Sequence, residues 1–164
     1  MIVKCRVNEF HEILAVINDG ASAYKGVIPP DRWHEPYMTE SELETQIKQG
    51  VEFWCCHNEG VLTGVMGIQE KGDVTLIRHA YVRSDHRNNG IGSKLLLYLK
   101  EMSDKPVLIG TWTDATWAIA FYQKHGFRIL PVNETEKLLR KYWMIPERQI
   151  QTSVVLANDN WISC

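Results

Sequence analysis

Arg87-Asn88-Asn89-Gly90-Ile91-Gly92 is the stretch that decides how this chain is read. An extended run precedes it: Val74-Thr75-Leu76-Ile77-Arg78-His79-Ala80-Tyr81-Val82. An amphipathic run follows, Ser93 to Lys100, and Ile91, Leu95, Leu99 and Met102 fall on one helical face. A glycine-rich turn therefore joins a strand to the first turn of a helix. The start of a helix has unpaired N–H groups and the positive end of the dipole. Such a place suits an anion, phosphate above all. Gly90 and Gly92 carry no Cβ that would hold a phosphate off the backbone.

Two nucleotide signatures do not fit. A dinucleotide loop needs a third glycine where Leu95 stands. It also needs an acidic residue near Leu108-Ile109-Gly110-Thr111, which has none. A mononucleotide P-loop fails at Gly92-Ser93-Lys94-Leu95. What remains is [RQ]-x-x-G-x-[GA] after a strand, which resembles the pyrophosphate loop of the GNAT superfamily of N-acetyltransferases. A second stretch, residues 117–127, is similar to that superfamily's A-x-x-[FL]-Y-x-[KR]-x-G-F signature. It matches at Ala118, Phe121, Tyr122, Lys124, Gly126 and Phe127. The two motifs stand in the family's order over residues 74–132.

The resemblance implies a single GNAT-like domain over residues 1–164, of α/β (α+β) class. A central mixed, mostly antiparallel sheet would have helices on both faces. It implies a transferase that takes acetyl-CoA as donor and a primary amine as acceptor, by direct attack. Backbone groups of Ala80, Tyr81 and Val82 would pair with pantetheine amides. Asn88, Asn89, Gly90, Ile91, Gly92 and Ser93 would hold the pyrophosphate. Arg87 would aid the phosphates or stabilise the loop. Tyr122 would be the general acid that protonates the leaving thiolate. Many family members carry a carboxylate base on the central strand where this chain has His79. Imidazole titrates near about 6.5, so His79 is read as base or water relay, or as a plain cleft histidine. His57 and His34 are weaker choices. The family's usual pantetheine-binding Asn is replaced by Ala115.

The loop from Tyr24 to Tyr37 is rich in aromatics and prolines. In the family this region borders the acceptor. Trp33, His34, Glu35 and Tyr37 are therefore expected to shape an amine pocket, with Glu35 pairing a cation, or else to anchor the loop by packing. The acceptor is read as a small-molecule amine, with a peptide N-terminus or lysine, or a non-catalytic acyl-CoA sensor, as alternatives. A homodimer through strands such as 149–156 is possible.

Composition sets outer bounds. The chain has 164 residues, 45% hydrophobic and 23% charged, ordinary for a globular domain. Its start lacks an apolar signal region, and no run spans a membrane. Cys5, Cys55, Cys56 and Cys164 form no C-x-x-C pair, and are read as reduced thiols of a cytoplasmic protein. No metal site is expected: His34-Glu35-Pro36-Tyr37-Met38 is not H-E-x-x-H, and Cys55-Cys56-His57 is too tight. Residues 8–60 hold ten acidic and three basic residues, and residues 61–164 hold ten and thirteen. A basic half suits a polyanionic cofactor and an acidic half a cationic acceptor, unless both are simply solvated faces. No basic stripe suggests nucleic acid.

Local patterning predicts the elements. Strands are expected at 2–7, 51–57, 61–69, 74–82, 106–113, 127–132 and 149–156. Helices are expected at 9–19 with Asn8 as N-cap, 39–50 with a Thr39–Glu42 capping box, 91–102, 115–125 and 133–142.

Overall fold

Three long strands carry the molecule: β2 (Glu52–Asn58), β3 (Val61–Lys71) and β4 (Val74–Val82). They pair antiparallel in sequence order through short turns. The structure is a computed structural model that describes residues 1–163. Before these strands come β1 (Ile2–Lys4), α1 (Phe10–Ala21) and α2 (Glu40–Lys48). After them come α3 (Ile91–Glu101), β5 (Val107–Trp112), α4 (Thr116–Lys124) and β6 (Arg128–Ile129). Last are α5 (Val132–Tyr142), α6 (Glu147–Gln151) and β7 (Ser153–Ala157). The seven strands make one sheet in the order β1-β2-β3-β4-β5-β7-β6. Among the described residues only β4 and β5 are parallel neighbours, joined by the α3 crossover.

Strand alternation sends side chains to two cores. On one face Ile13 and Ile17 of α1 and Leu43 of α2 pack on Phe53 and Val65. Farther along that face, Leu138 and Leu139 of α5 cover Leu76 and Leu108. On the other face Leu95 and Leu99 of α3 and Tyr122 of α4 pack on Met66, Ile77 and Ile109. The mixed, mostly antiparallel sheet with helices on both faces is the expected α/β architecture.

Two irregularities of β4 position the site. Gly67 lies opposite Arg78 and Val65 opposite Tyr81, so His79 and Ala80 face the single residue Met66. This is a β-bulge, and His79 takes a left-handed backbone conformation with φ 54°. It lets Ile77 and Ala80 share the α3 face, while His79 and Tyr81 face α1 and α2. In addition, β4 pairs with β5 only from Thr75–Val107 to Ile77–Ile109. Beyond that point β5 continues along β7, and the two parallel strands part.

Several expectations need correction. β1 stops at Lys4, and Val7–Glu9 forms a 3-10 turn, so Asn8 is not a helix cap. Glu9 closes that turn by accepting from the Arg6 N–H at 2.6 Å. β6 is two residues long because Pro131 ends it and starts α5. Residues 149–151 are helical, since Pro146 opens α6 there. β7 lies between β5 and β6, and β6 pairs with it only at Leu156 and Ala157. Cys5 and Cys55 form a disulfide with Cα atoms 5.6 Å apart, which corrects the reading of reduced thiols. Cys56 is free and buried on the opposite face, and Cys164 lies outside the described residues. The Thr39 capping box is as expected: Thr39 Oγ1 accepts from Glu42 N, and Glu42 Oε2 accepts from Thr39 N, both at 3.1 Å.

Candidate active site

A cleft of about 630 Å³ opens at the C-terminal end of β4, between the ends of α1 and α4 and the start of α3. Ala80, Tyr81 and Val82 line it, as do Arg87, Asn88, Gly90, Ile91, Gly92 and Ser93. Gly90 is the N-cap of α3 with φ 76°, a conformation that favours glycine. A Cβ there would meet nothing within 4 Å. Glycine is thus needed for the turn, and the approach to the helix N–H groups stays open. Gly92 packs toward Phe121 instead, whose ring lies 3.4 Å from where a Cβ would be. Arg87 Nη2 donates to the Gly20 carbonyl at 3.2 Å, tying the loop to the end of α1. That contact supports the loop-stabilising role of the two expected for it. Asn89 is exposed and lies outside the cleft lining.

The parting of β4 from β5 leaves the backbone of residues 78–82 without a strand partner on that side. Backbone amides free on one edge, beside a bare helix N-terminus, form a cradle for an extended amide chain ending in phosphates. Coenzyme A has that chemistry, and the cleft fits it. Ala115, at the usual Asn position, is fully buried against Ile28 and Trp112. It offers no polar group to the cleft.

A second hollow of about 110 Å³ lies where the strands part. Arg78 and His79 of β4 line it, with Thr111 and Trp112 of β5, Tyr37 and Trp143. Tyr24, Ala80, Tyr81 and Tyr122 line both the hollow and the cleft. The two spaces therefore meet at Tyr122. Burial, and secondarily the nearby Tyr24, push the Tyr122 phenol well above its usual range. His79 Nε2 lies 3.2 Å from Gln46 Oε1 of α2. Its imidazole is partly buried and lines the hollow. Burial first, and the Arg78 charge second, push its pKa down to about 3. It is neutral at pH 7 but a weak proton acceptor.

Of the four expected acceptor residues, only Tyr37 lines the hollow, and the Trp112 indole donates to its hydroxyl at 2.9 Å. Trp33 stacks behind Tyr37 at 5.8 Å and acts as a packing anchor. His34 Nδ1 lies 2.8 Å from the Pro36 carbonyl, at the surface. Glu35 is exposed and pairs with Lys25 at 3.3 Å. His57 is remote: it binds Glu9 Oε1 at 2.7 Å near Cys5 and Cys55. Cys5, Glu9 and Cys55 are the one group among the described residues whose ligand-type atoms lie as close as a metal site requires. The disulfide and the His57 and Arg6 contacts already engage all three. Sequence reading missed Tyr24 and Arg78 as lining residues. Arg78 had a signal, as the one full charge inside an otherwise apolar strand.

Residues 49–129 match the model of the acetyltransferase (GNAT) domain. The matched stretch, just under half of the chain, is a GNAT acetyltransferase domain. The chain is an acetyl-CoA-dependent N-acetyltransferase, with acetyl-CoA as donor. Solved GNAT structures share the fold across nearly the whole chain. The PaiA N-acetyltransferase from Thermoplasma acidophilum, solved in complex with coenzyme A, is 14% identical. It covers 96% of this chain and 97% of its own, with a TM-score of 0.72. A GNAT-family acetyltransferase from Staphylococcus aureus is 20% identical over 96% and 97%, at 0.67. The ribosomal-protein-S18-alanine N-acetyltransferase from Escherichia coli is 13% identical over 100% and 96%, at 0.69. No curated protein matches the sequence. No described helix of this GNAT domain is long and apolar enough to cross a membrane.

Proposed function

We propose that residues 1–164 act as one catalytic domain that acetylates the primary amine of a small molecule. The supporting observation is the aromatic-lined hollow of about 110 Å³, which shares Tyr122 with the donor cleft. An aromatic pocket of that size suits a compact amine better than a polypeptide segment. In this reading the backbone of Ala80, Tyr81 and Val82 and the loop from Arg87 to Ser93 hold the donor. The amine nitrogen attacks the thioester carbonyl, a C–N bond forms and the C–S bond breaks. Tyr122 gives its proton to the departing sulfur, and the proton lost by the amine returns through solvent water to the Tyr122 phenolate, which restores the phenol. Burial raises the phenol, and it raises a buried thiol in the same direction, so the two remain matched. His79 is too weakly basic to hold that proton. We assign it to orienting a water or the amine through its hydrogen-bonded ring.

Calorimetric titration with acetyl-CoA and CoA, followed by thiol release over an amine panel, tests the reading. Micromolar donor binding with CoA release from small amines supports it. Release only from peptide N-termini or lysines would move the acceptor to polypeptides. We also propose a cytoplasmic location from the donor chemistry. The Cys5–Cys55 disulfide stands against that location, because disulfides are uncommon there; alkylation trapping in fresh lysate decides the point, a reduced pair supporting the proposal and an oxidised pair overturning it.

A further inference from the structure

Arg78 is the one charged side chain among the residues that line the inner hollow; no Asp, Glu or Lys is among them. It lies between Ile77 and His79 in β4 and is partly buried. Burial lowers its pKa to about 10, which leaves it a full cation at neutral pH, and no charged neighbour offsets that effect. Its hydrogen bond runs to a neutral acceptor, Gln69 Oε1, at 3.2 Å. Gln69 is itself fixed by donating to the Gln49 carbonyl at 3.0 Å. The two glutamines aim the guanidinium but do not neutralise it.

A second guanidinium stands close by. Arg32 Nη2 lies 3.4 Å from Gln149 Oε1, and Gln149 lines the hollow. Arg32 Nε is buried with no hydrogen-bond partner among the described residues. Its charge reaches Tyr37, another lining residue. His79 adds no compensating charge. Asp31 is within electrostatic reach of Arg32 but pairs with Arg148, and Glu35 pairs with Lys25; neither carboxylate lines the hollow. The hollow is therefore electropositive, opposite to what the residue counts suggested. A buried cation without a counter-charge is costly unless a ligand supplies one.

We propose that the acceptor is a small amino carboxylate, and that Arg78 binds its carboxylate inside the hollow. This rests on the hollow being the acceptor's place in the acetyltransferase reading. The guanidinium fork matches a carboxylate in plane, which a point charge would not. A volume of about 110 Å³ has room for about four water-sized groups at ~30 Å³ each, so the skeleton is short. Tyr24, Tyr37 and Trp143 would flank its apolar part. The positive field also disfavours the ammonium form, so the bound amine sheds its proton more readily. That compensates for a weakly basic His79.

The test is calorimetric titration of CoA-saturated protein with short α- and ω-amino carboxylates, each against its own carboxamide. At least one carboxylate should bind on the order of 30-fold tighter than its amide. In Arg78→Met that ratio should fall toward one, while acetyl-CoA affinity stays within about threefold of wild type. Arg78→Lys should keep part of the ratio. Equal binding of acid and amide across the series, or no binding of any carboxylate, overturns the proposal. So does an Arg78→Met variant that keeps the ratio or weakens both partners equally. Failure of the wild type to bind acetyl-CoA would instead overturn the reading of the site itself, and the first titration reveals it separately.

Discussion

Tyr122 and His79 share the hollow, and burial acts on them in opposite directions: it raises the phenol and lowers the imidazole. Both are thereby kept neutral at pH 7. Tyr122→Phe removes the proton donor while keeping the ring. Steady-state kinetics should show kcat falling by about 10²–10⁴ with donor affinity unchanged. Full activity in that variant would remove Tyr122 from the acid role. His79 gives a stability prediction. The folded protein holds it neutral down to about pH 3, against 6.5 for the free side chain. Between those values the unfolded chain binds the extra proton. The stability that depends on a neutral His79 is present above pH 6.5 and is lost as pH falls toward 3. Chemical denaturation of wild type and His79→Gln at pH 7.5 and pH 5 should therefore show the wild type losing more. Equal losses would mean the ring is not held neutral. At this scale Tyr122 was legible because a motif surrounded it. Arg78 was not, because a lone charge in a strand reads equally well as an edge or a cleft residue.

The start of α3 shows how much of an element a short sequence can specify. Gly90 supplies the positive φ, and Ile91, Leu95 and Leu99 the buried stripe. Gly90→Val forces a β-branched residue into the left-handed region, costing about 1–2 kcal/mol. It also places two methyl groups where the cleft is open. Acetyl-CoA binding should weaken by about tenfold or more by calorimetry, with a lower Tm of a few degrees. Unchanged affinity would take the phosphate contact away from this turn. Elements bounded by strong local chemistry, such as the Thr39 box and β4, matched their expected limits. The misses have local causes too. Pro131 and Pro146 set helix starts that overrode the apolar runs beside them. At Arg6 and Glu9 the capping interaction replaced the Asn8 cap. The bulge at His79 was not placed by the sequence, since histidine's enrichment at left-handed positions is too weak to mark one residue of a strand.

Over the whole molecule, the parting of β4 from β5 creates a site that no single element contains. Its walls come from the loop near Tyr24, both parallel strands, α4 and the α5–α6 region. Sequence periodicity reports which face of an element is buried, but not the gap between two elements. This is why Trp33, His34 and Glu35 were placed in a pocket they do not line. The gap makes its own prediction. Amides in 78–82 have no strand partner toward β5, whereas 75–77 do. Hydrogen exchange read by mass spectrometry should slow in 78–82 on addition of acetyl-CoA and stay constant in 74–77. No change in 78–82 would place the donor elsewhere. The shared wall of Tyr24, Ala80, Tyr81 and Tyr122 has a pharmacological corollary. A conjugate that bridges the coenzyme's sulfur to the acceptor's nitrogen would occupy cleft and hollow together. Its second half would bind at a high effective concentration, so its affinity could exceed either half alone by about 10²–10⁴. The acid-bearing version of such a conjugate would also be the more selective, because Arg78 would meet it at the far end.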